Sequence, residues 1–457
     1  MRGIPQWKSD QRENIMHKFT AKAGLAALAV TLSSSVAFAQ TEISWWHSMG
    51  GELGERVNQI AEDFNAGQDD YVVTPSYRGE YEETMVNTIA AFRAGEQPTI
   101  VQIYEVGTGT MMAAEGAVYP VYELMEEYGN DFDPSNFLPV VTGYYTDTNG
   151  NMLSMPFNSS TPILYYNKDV FEEAGLDPET APTTWAEAEE MSRQIVESGA
   201  ANCGMAITYT ATWIGSENFS ALHNLPYGTM ENGFGGLGTE FTFNNETVAR
   251  FWDDLARWQD EGIFVYGGPA GGSDNAPAFY SGECAIYMGS SASRAGVLAN
   301  TDFEVGFGML PYYDDVDGAP QNSIIGGATL WVLQGHSDEE YAATAAFFDY
   351  LSSAEVQAEW HQGTGYLPIT QAAYELSQEQ GYYEENPGAD IAIEQINLNE
   401  PTENSKGLRF GNMPQFRMVM DEELQSVLAG DKTGQEALDS AVERGNQILR
   451  DFEAANS

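Results

Sequence analysis

Apolar and polar residues after position 40 alternate between short apolar runs and the spacing typical of amphipathic helices. A short apolar run indicates a buried strand, whereas apolar residues three and four positions apart indicate one face of a helix. The predicted elements of this first region are a strand at 41–46, a helix through 57–64, a strand at 71–77, a helix at 81–94 and a strand at 99–104. Strands that alternate with helices in this way form parallel sheets, so the region predicts an α/β unit.

A second region with the same alternation begins near residue 186. The predicted helices are 186–197, 213–222 and 246–261, and the predicted strands are 203–209, 285–288, 303–309 and 323–332. Helical patterns dominate beyond residue 339. We therefore expect an α/β fold of two lobes, each a mostly parallel sheet flanked by helices, with further helices at the C-terminus. Ligands of such sheets bind at the carboxyl ends of the strands.

The stretch between these regions, 155–185, predicts the crossing from one lobe to the other. It begins with a Pro-Phe turn and a hydroxyl-rich run, Asn158–Thr161, and continues with a short strand, Ile163–Tyr166. Asn167 is placed to cap the next helix, because an asparagine side chain can accept hydrogen bonds from the first free N–H groups of a helix. Hydroxyls beside a crossing predict that the ligand site and the hinge meet here.

The first 39 residues have the pattern of a cleaved signal peptide: a short basic region, a small and apolar segment, and the small-x-small sequence Ala37–Ala39. Met16 is a possible true start. The apolar segment is too short for a membrane span, so we expect an exported, soluble protein in the periplasm. In that oxidising compartment Cys203 and Cys284 can form a disulfide, and two buried free thiols are the alternative.

Acidic residues greatly outnumber basic ones. Of the 19 Lys and Arg and the 68 Asp and Glu, residues 1–39 hold five and two, which leaves 14 and 66 and a net charge of −52. Such a charge repels nucleic acid and anionic membranes, so neither is an expected partner. The acids are spread over the whole chain, which favours adaptation to high salt, where the repulsion is screened, over a site for a cationic partner.

The scarcity of basic residues gives weight to those that lie in polar turns. Arg409 and Arg417 belong to SKGLRFGNMPQFR, a segment with many Gly, Pro and Asn residues and few acids. An anion site needs a guanidinium or several aimed N–H groups, so both arginines are candidate anion ligands. The alternative for Arg417 is an ion pair with the nearby Glu422 or Glu423.

Sequence motifs for catalysis are weak. GFGGLG at 233–238 matches G-x-G-x-x-G, but it neither follows a predicted strand nor opens a helix, so we interpret it as a flexible loop. His47, His223, His336 and His361 lack the spacing of metal ligands. No Walker loop or G-x-S-x-G elbow occurs, and carboxylate pairs carry little information among so many acids. We expect neither an enzyme nor a bound metal or cofactor.

Longer motifs carry a family resemblance that covers nearly the whole chain after the predicted signal peptide. LYYNKDVFEEAGLDP followed by TTW resembles the extracellular solute-binding proteins of ABC importers. WHSMGGELG, QIYEVGTGTMMA, PQNSIIGGATLWV, EWHQGTGYLPIT and KGLRFGNMPQFR resemble those members that bind sn-glycerol-3-phosphate. The resemblance implies a type II periplasmic binding protein fold with a hinge between its lobes. It also implies a monomer that closes on a glycerol phosphate and delivers it to an inner-membrane permease with a cytoplasmic ATPase.

The resemblance further implies a set of ligand contacts, carried over position by position. They are Tyr81, Glu105, Ser160, Ser290, Gly327, Tyr366 and Arg417. The family forms an aromatic wall from two tryptophans; Trp213 matches the second, and Tyr209 or Thr210 stands near the first. These residue types suit the ligand, because a guanidinium, hydroxyls and free N–H groups bind a phosphate. Glu105, at the end of a predicted strand, can accept hydrogen bonds from the glycerol hydroxyls.

The lobes that this fold implies are built from discontinuous segments. Lobe 1 is expected at 40–156 and about 292–345, and lobe 2 at 157–291 and about 346–457. Three alternative functions stay open: binding of glycerophosphodiesters such as glycerophosphocholine, binding of a sugar, and hydrolysis of glycerophosphodiesters by a secreted enzyme. The hydrolase would need a metal cluster or an activated nucleophile, for which the sequence offers no recognisable motif.

Overall fold

The computed structural model describes residues 40–114, 116–130, 132–268 and 275–456. The predicted signal peptide, residues 1–39, lies outside the described residues. None of the described helices combines the length and the apolar character that a membrane crossing requires. The described strands form two sheets, one in each lobe.

Strands alternate with helices along the first part of the chain, as the apolar pattern predicts. In chain order the strands are β1 (Thr41–His47), β2 (Tyr71–Tyr77), β3 (Ile100–Tyr104), β4 (Val118–Tyr119), β5 (Met155–Ser160), β6 (Pro162–Asn167), β7 (Cys203–Ile207), β8 (Phe264–Val265), β9 (Cys284–Ser290), β10 (Val305–Gly308) and β11 (Gly326–Leu333). The boundaries of β1, β2 and β3 agree with the predicted ones to within a residue.

The helices include several that are only one or two turns long. In chain order they are α1 (Gly51–Gly67), α2 (Tyr81–Ala94), α3 (Thr108–Ala113), α4 (Val121–Tyr128), α5 (Pro139–Tyr145), α6 (Lys168–Glu173), α7 (Trp185–Ser198), α8 (Phe219–Leu222), α9 (Thr229–Asn232), α10 (Glu246–Asp260), α11 (Ala276–Tyr280), α12 (Arg294–Asn300), α13 (Asp338–Leu351), α14 (Ala354–Thr364), α15 (Gln371–Glu379), α16 (Tyr382–Glu385), α17 (Ile391–Ile396), α18 (Met413–Leu428) and α19 (Gly434–Asn456). Trp213–Asn218 forms a π-helix directly before α8.

Both sheets are mixed. The first has the order β2-β1-β3-β11-β4, with β5 also paired to β11; β1 is parallel to β2 and β3, and β11 is antiparallel to its neighbours. The second has the order β10-β6-β9-β7-β8; β7 is parallel to β8 and β9, and β6 is antiparallel to β9 and β10. The two-lobed α/β fold is confirmed. The expected mostly parallel sheets are not found, because β11 and β6 run against their neighbours.

The chain passes from the first sheet to the second at Thr161, the single residue between β5 and β6. Its hydroxyl is buried 2.6 Å from Ser323 Oγ and 3.1 Å from the carbonyl oxygen of Ile324. The interpretation of residues 155–160 as a turn and a polar run is wrong, because they form the buried strand β5. Asn158 is paired there, since its Oδ1 accepts a hydrogen bond from Gln102 Nε2 at 2.8 Å, whereas the buried Ser159 hydroxyl has no partner among the described residues.

Three segments lie in the other lobe than the one predicted. Residues 157–160, assigned to lobe 2, belong to β5 of the first sheet. β10, inside the 292–345 segment assigned to lobe 1, pairs with β6 of the second sheet. The loop after α14, assigned to lobe 2, is hydrogen-bonded to the first lobe: Leu367 N donates to the carbonyl oxygen of Ser159 at 2.7 Å, and Leu138 N donates to that of Ile369 at 2.9 Å. The other lobe boundaries stay a prediction.

Side-chain caps fix the starts of two helices beside the crossing and the cavity. Asn167 Oδ1 accepts a hydrogen bond from Val170 N at 3.1 Å, which confirms the predicted cap of α6. A capping box between Glu80 and Glu83 begins α2 at Tyr81. Because a capping box satisfies two otherwise free N–H groups, it holds Tyr81 at the first helical position.

Cys203 and Cys284 form a disulfide. They stand directly opposite each other on the parallel neighbours β7 and β9, and both are buried. Of the two alternatives that the sequence leaves open, the disulfide is therefore the one present. It joins residues 81 positions apart, so it restricts the unfolded chain and stabilises the second lobe.

Candidate functional site

A cavity of about 270 Å³ is lined by residues from both lobes. The predicted residues among them are Tyr81, Glu105, Ser160, Tyr209, Trp213, Ser290, Gly327, Tyr366 and Arg417. The other lining residues are Leu53, Glu80, Glu82, Tyr104, Ala292, Ser293, Pro414, Met418 and Asp421. The structure thus brings all nine predicted residues to one cavity. That each of them contacts a ligand stays a prediction.

Arg417 is the one basic residue among the described residues that line this cavity. From the start of α18, its Nε donates to Glu217 Oε1 at 2.8 Å, and its Nη2 donates to Glu217 Oε2 at 2.6 Å and to Glu105 Oε1 at 3.1 Å. The side chains of Arg417, Glu105 and Glu217 are 9%, 9% and 2% exposed. No described residue accepts a hydrogen bond from Nη1, so that nitrogen keeps both of its donors.

The alternative pairing of Arg417 with Glu422 or Glu423 is wrong. Glu422 and Glu423 bind Arg444 of α19, and Glu423 also binds Lys432. The reason is the direction of the side chains on α18, since Arg417 faces the cavity while the two acids face α19.

The buried charges of this cluster affect one another. Burial raises the pKa of Glu105 to about 7; Arg417 opposes this rise and the Glu217 carboxylate adds to it. Burial also acts to lower the pKa of Arg417, but Glu217 and Glu105 outweigh it and raise that pKa well above its ordinary value. The guanidinium therefore stays charged, whereas Glu105 exchanges a proton near neutral pH.

Glu217 is a candidate functional residue that sequence reasoning does not identify. It lies in the π-helix Trp213–Asn218, a local widening of the helix that is frequent at functional sites. Gly215 permits the tight packing of this turn, because a Cβ there would lie 1.8 Å from the carbonyl oxygen of Thr210. The position of Glu217, four residues after Trp213, is the one signal in the sequence that marks this residue. The signal is weak among 66 acids.

Asn158 holds Tyr81, one of the four tyrosines that line the cavity. Its Nδ2 donates to the hydroxyl oxygen of Tyr81 at 3.1 Å. The ring of Tyr81 stacks on Tyr104 with centroids 5.2 Å apart, and the ring of Tyr366 stacks on Trp360 with centroids 5.7 Å apart. Burial raises the pKa of Tyr81 and of Tyr366, so both remain neutral and can donate a hydrogen bond.

The ends of β5, β11 and β9 meet at the cavity wall. Ser160 is 3% exposed, and its hydroxyl bonds to no other described residue. Gly327 has φ +96°, and a Cβ there would lie 2.0 Å from the carbonyl oxygen of Asn158, so only glycine fits. Ser290 Oγ accepts a hydrogen bond from Ala292 N at 3.2 Å and keeps its own proton to donate.

Tyr209, and not Thr210, stands beside Trp213 in the aromatic wall. The two rings are perpendicular, with centroids 6.1 Å apart and an interplanar angle of 87°. Thr210 is buried and donates to the carbonyl oxygen of Ile207 at 2.7 Å. Gly326 lies against the indole, because a Cβ there would be 2.3 Å from the Trp213 ring. The wall therefore presents one indole and one phenol ring at right angles.

Arg409, the second candidate anion ligand, does not line this cavity. Its Nη2 donates to the carbonyl oxygens of Gly143 (3.2 Å) and Tyr144 at the end of α5, and its guanidinium lies 4.1 Å from the ring centroid of Phe234. The negative end of a helix dipole stabilises a cation there. Burial nevertheless lowers the pKa of Arg409 to about 10. Arg409 therefore holds the end of α5 and takes no part in the cavity that contains Arg417.

The predicted loop at 233–238 is confirmed. Gly233, Gly236 and Gly238 have positive φ angles of 86°, 102° and 87°, which favour glycine. The loop borders a second cavity, of about 350 Å³, together with Arg409. Within the ranges that the structure describes, no group of His, Cys, Asp and Glu side chains is arranged to hold a metal ion.

Comparison of the sequence with known protein families identifies the family of this chain. Residues 59–390 match the family model described as bacterial extracellular solute-binding protein. The chain belongs to this family. The family shown agrees with the one that the sequence motifs resemble.

Curated relatives match over almost their whole length. The chain is 50% identical over 431 residues to the sn-glycerol-3-phosphate-binding periplasmic protein UgpB of Salmonella paratyphi A, covering 94% of this chain and 97% of that protein. It is 49% identical over 437 residues to the UgpB protein of Escherichia coli O6:K15:H31, covering 95% and 98%.

Solved structures share the fold at low sequence identity. UgpB from Mycobacterium tuberculosis in complex with glycerophosphocholine matches with a TM-score of 0.76 at 20% identity, over 91% of this chain and 100% of that one. The cyclic alpha-maltosyl-1,6-maltose binding protein from Arthrobacter globiformis matches with a TM-score of 0.72 at 22% identity, over 90% and 100%. Both likenesses confirm the two-lobed fold of this solute-binding protein.

Proposed function

We propose that this solute-binding protein captures sn-glycerol-3-phosphate in the periplasm and delivers it to an inner-membrane ABC permease with a cytoplasmic ATPase. The observation that carries the proposal is the cavity in which Arg417, hydroxyls and a glycine backbone from both lobes come together. The name and compartment of the relatives at 50% and 49% identity support it. A single monomer suffices, since one chain supplies the whole cavity.

The phosphate and the glycerol have separate partners in this proposal. The groups that would bind the phosphate are Arg417 Nη1, the hydroxyls of Ser160, Ser290, Tyr81 and Tyr366, and the Gly327 backbone. These are the donors that a phosphate requires. Glu105 would accept hydrogen bonds from the glycerol hydroxyls, and Trp213 and Tyr209 would cover the carbon atoms.

Capture works by closure of the lobes. Glu105 follows β3 of the first lobe, and Arg417 lies on α18, which packs against α10 of the second lobe, so their ion pair joins the two sides of the cavity. A ligand that bridges the same two sides stabilises the closed arrangement and shifts the population toward it. The permease then recognises the closed pair of lobes.

Calorimetric titration of the mature protein with sn-glycerol-3-phosphate tests the proposal. We expect one site per chain and no detectable binding of glycerol or maltose at the same concentrations. Inorganic phosphate lacks the glycerol contacts and should bind much more weakly. Absence of heat and of thermal stabilisation with sn-glycerol-3-phosphate, at low and at high salt, would overturn the proposal.

A glycerophosphodiester such as glycerophosphocholine is the second candidate. The observation that favours it is the lining of the cavity, where perpendicular aromatic rings and the acids Glu80, Glu82 and Asp421 suit a cationic head group. The Mycobacterium tuberculosis structure with that ligand has the same fold. Competition between glycerophosphocholine and sn-glycerol-3-phosphate in one titration ranks the two. A sugar is the weaker alternative, and maltose serves as its probe.

We infer that the protein releases its ligand unchanged. The support is the family, whose members are named for solute binding, together with a cavity built from hydrogen-bond donors and aromatic rings. Incubation of the purified protein with glycerophosphocholine, followed by NMR of the mixture, checks this inference. Stoichiometric or greater release of choline that disappears in Glu105→Gln would show a hydrolase instead.

A further inference from the structure

Glu217 and Glu105 together occupy three of the hydrogen-bond donors of Arg417, and Glu217 takes two of these three. A guanidinium has five N–H donors. Glu217 takes one from Nε and one from Nη2, and Glu105 takes the other from Nη2. The two N–H groups of Nη1 are what remains for a ligand. A phosphate therefore meets one nitrogen of the arginine, not the two-nitrogen fork that usually binds it.

Glu217 also offsets the charge of Arg417. Its carboxylate lies 2.6 Å from Nη2, and its side chain is 2% exposed, so solvent hardly screens the pair. Glu105 adds a second acid on the same nitrogen at 3.1 Å. Among the described residues lining the cavity there are three further acids, Glu80, Glu82 and Asp421, and no second cation. Each negative charge that a ligand brings therefore enters an already negative cavity.

We propose that Glu217 is a positioning and specificity-determining residue, which directs Arg417 Nη1 into the cavity and makes the site select a singly charged phosphate over a doubly charged one. The preferred ligands are then a phosphodiester of glycerol, or sn-glycerol-3-phosphate that carries one proton on its phosphate. This inference rests on the proposed function and deepens it. A free arginine in the same place would favour the dianion.

Two ligands with the same glycerol part separate charge from shape. sn-Glycerol-3-phosphate changes from one to two negative charges as the pH rises, because a phosphomonoester has a second pKa near 6. Its methyl ester carries one charge throughout. We expect the ratio of the two affinities, phosphomonoester over methyl ester, to fall at least tenfold between pH 5 and pH 8 in the wild-type protein. Glu105 also becomes negative over this pH range and adds to the fall, so only the part of the fall that is lost in Glu217→Gln is assigned to Glu217.

Glu217→Gln tests the residue itself. Glutamine keeps an oxygen that can accept from Nε, so Arg417 stays oriented, but the negative charge is gone. We expect the ratio to change less than threefold between pH 5 and pH 8 in this variant. The matched control is Glu422→Gln, which removes the same charge from another position on α18. Glu422 forms an exposed pair with Arg444 of α19, and this variant should behave as wild type.

The outcomes distinguish this inference from the proposed function. If neither ligand binds the wild-type protein, both fail. If both bind but the wild-type ratio does not depend on pH, or if Glu217→Gln changes both affinities equally and keeps the pH dependence, the inference alone is overturned. Glu217→Asp keeps the charge on a shorter side chain and serves if Glu217→Gln does not fold. It should weaken both ligands and retain the tenfold fall, and loss of that fall would also overturn the inference.

Discussion

Arg417→Ala is the change that most directly tests the proposed phosphate contact. Arg417 makes three hydrogen bonds to two buried carboxylates, and no other described basic residue lines the cavity. Loss of one partner of a buried charged contact costs about 2–5 kcal/mol of binding free energy. We expect the affinity for sn-glycerol-3-phosphate to fall by that amount, roughly thirty- to several-thousand-fold.

The same substitution should also destabilise the fold, and by an amount that depends on pH. It leaves Glu105 and Glu217 buried without a counter-charge, and breaking a buried ion pair in this way costs about 3–5 kcal/mol. The pKa of Glu105 is already about 7, so at pH 5 this carboxyl takes up a proton and the penalty shrinks. Urea unfolding of Arg417→Ala at pH 5 and pH 8, beside calorimetric titration, measures both effects.

Arg444→Ala is the matched control. Arg444 pairs with Glu422 and Glu423 across α18 and α19, its side chain is 41% exposed, and it does not line the cavity. The pair with Glu422 is exposed and contributes up to about 1 kcal/mol, and the buried Glu423 keeps Lys432 as a partner, so we expect a small loss of stability and wild-type affinity. A folded Arg417→Ala protein that binds sn-glycerol-3-phosphate as tightly as this control would remove Arg417 from the phosphate contact.

Three further substitutions probe the surroundings of the cavity by urea unfolding. Glu105 has a pKa of about 7 in the folded protein against an ordinary 4.5, so the folded state holds its proton longer than the unfolded chain. Stability should therefore fall by about 3 kcal/mol as the pH rises from 4.5 to 7 in the wild type, and less in Glu105→Gln. Gly327→Ala should cost more than about 2 kcal/mol, since φ is +96° and the Cβ would meet a carbonyl oxygen at 2.0 Å. Arg409→Gln should cost about 1–3 kcal/mol through the lost contacts with the end of α5.

Each of these three substitutions has a control variant or a result that would contradict the prediction. Gly430→Ala is the control for Gly327→Ala, because Gly430 has φ +76° and nothing within 4 Å of a Cβ, so it suffers the backbone strain alone. Equal losses at the two glycines would show that the close approach to β5 does not matter. For Glu105→Gln, the same pH slope as in the wild type would assign the slope to another group. For Arg409→Gln, unchanged stability would mean that water replaces the guanidinium at α5 without cost.

The predictable part of the fold is the part in which apolar periodicity and burial agree. β1, α1 and β2 follow the sequence pattern because one face of each element is apolar and the other is polar. β5 does not, because its buried positions include Asn158, Ser159 and Ser160, and their burial depends on partners far away in the chain. The apolar pattern does not predict the antiparallel direction of β11 either, because that direction depends on how the chain returns between the lobes.

The candidate site shows the same limit. The nine predicted residues were reached mainly through motifs shared with a family, and Arg417 also through its position in an acid-poor turn. Glu217 lies in none of these motifs. Nothing in the sequence shows that this acid, among 66, is 2% exposed and paired with a distant arginine. Arg409 shows the reverse case: an acid-poor turn indicates a cation without an acidic partner nearby, but in the fold its Nη2 donates to carbonyl oxygens of α5 and it does not line this cavity.

A surface with a net charge of −52 and a cavity that binds an anion are compatible only if selection acts at short range. The Debye length is about 8 Å at 0.15 M ionic strength and about 3 Å at 1 M, so salt screens the exposed acids from an approaching phosphate. The hydrogen bonds that we propose from Arg417 Nη1, Ser160 and Ser290 would act within about 3 Å and be little affected by salt. Adaptation to high salt stays a prediction, but it would remove the long-range repulsion and leave these contacts in place. Salt cannot screen the buried carboxylate of Glu217, which lies 2.6 Å from Arg417. In our proposal this carboxylate is what makes the site bind a singly charged phosphate in preference to a doubly charged one.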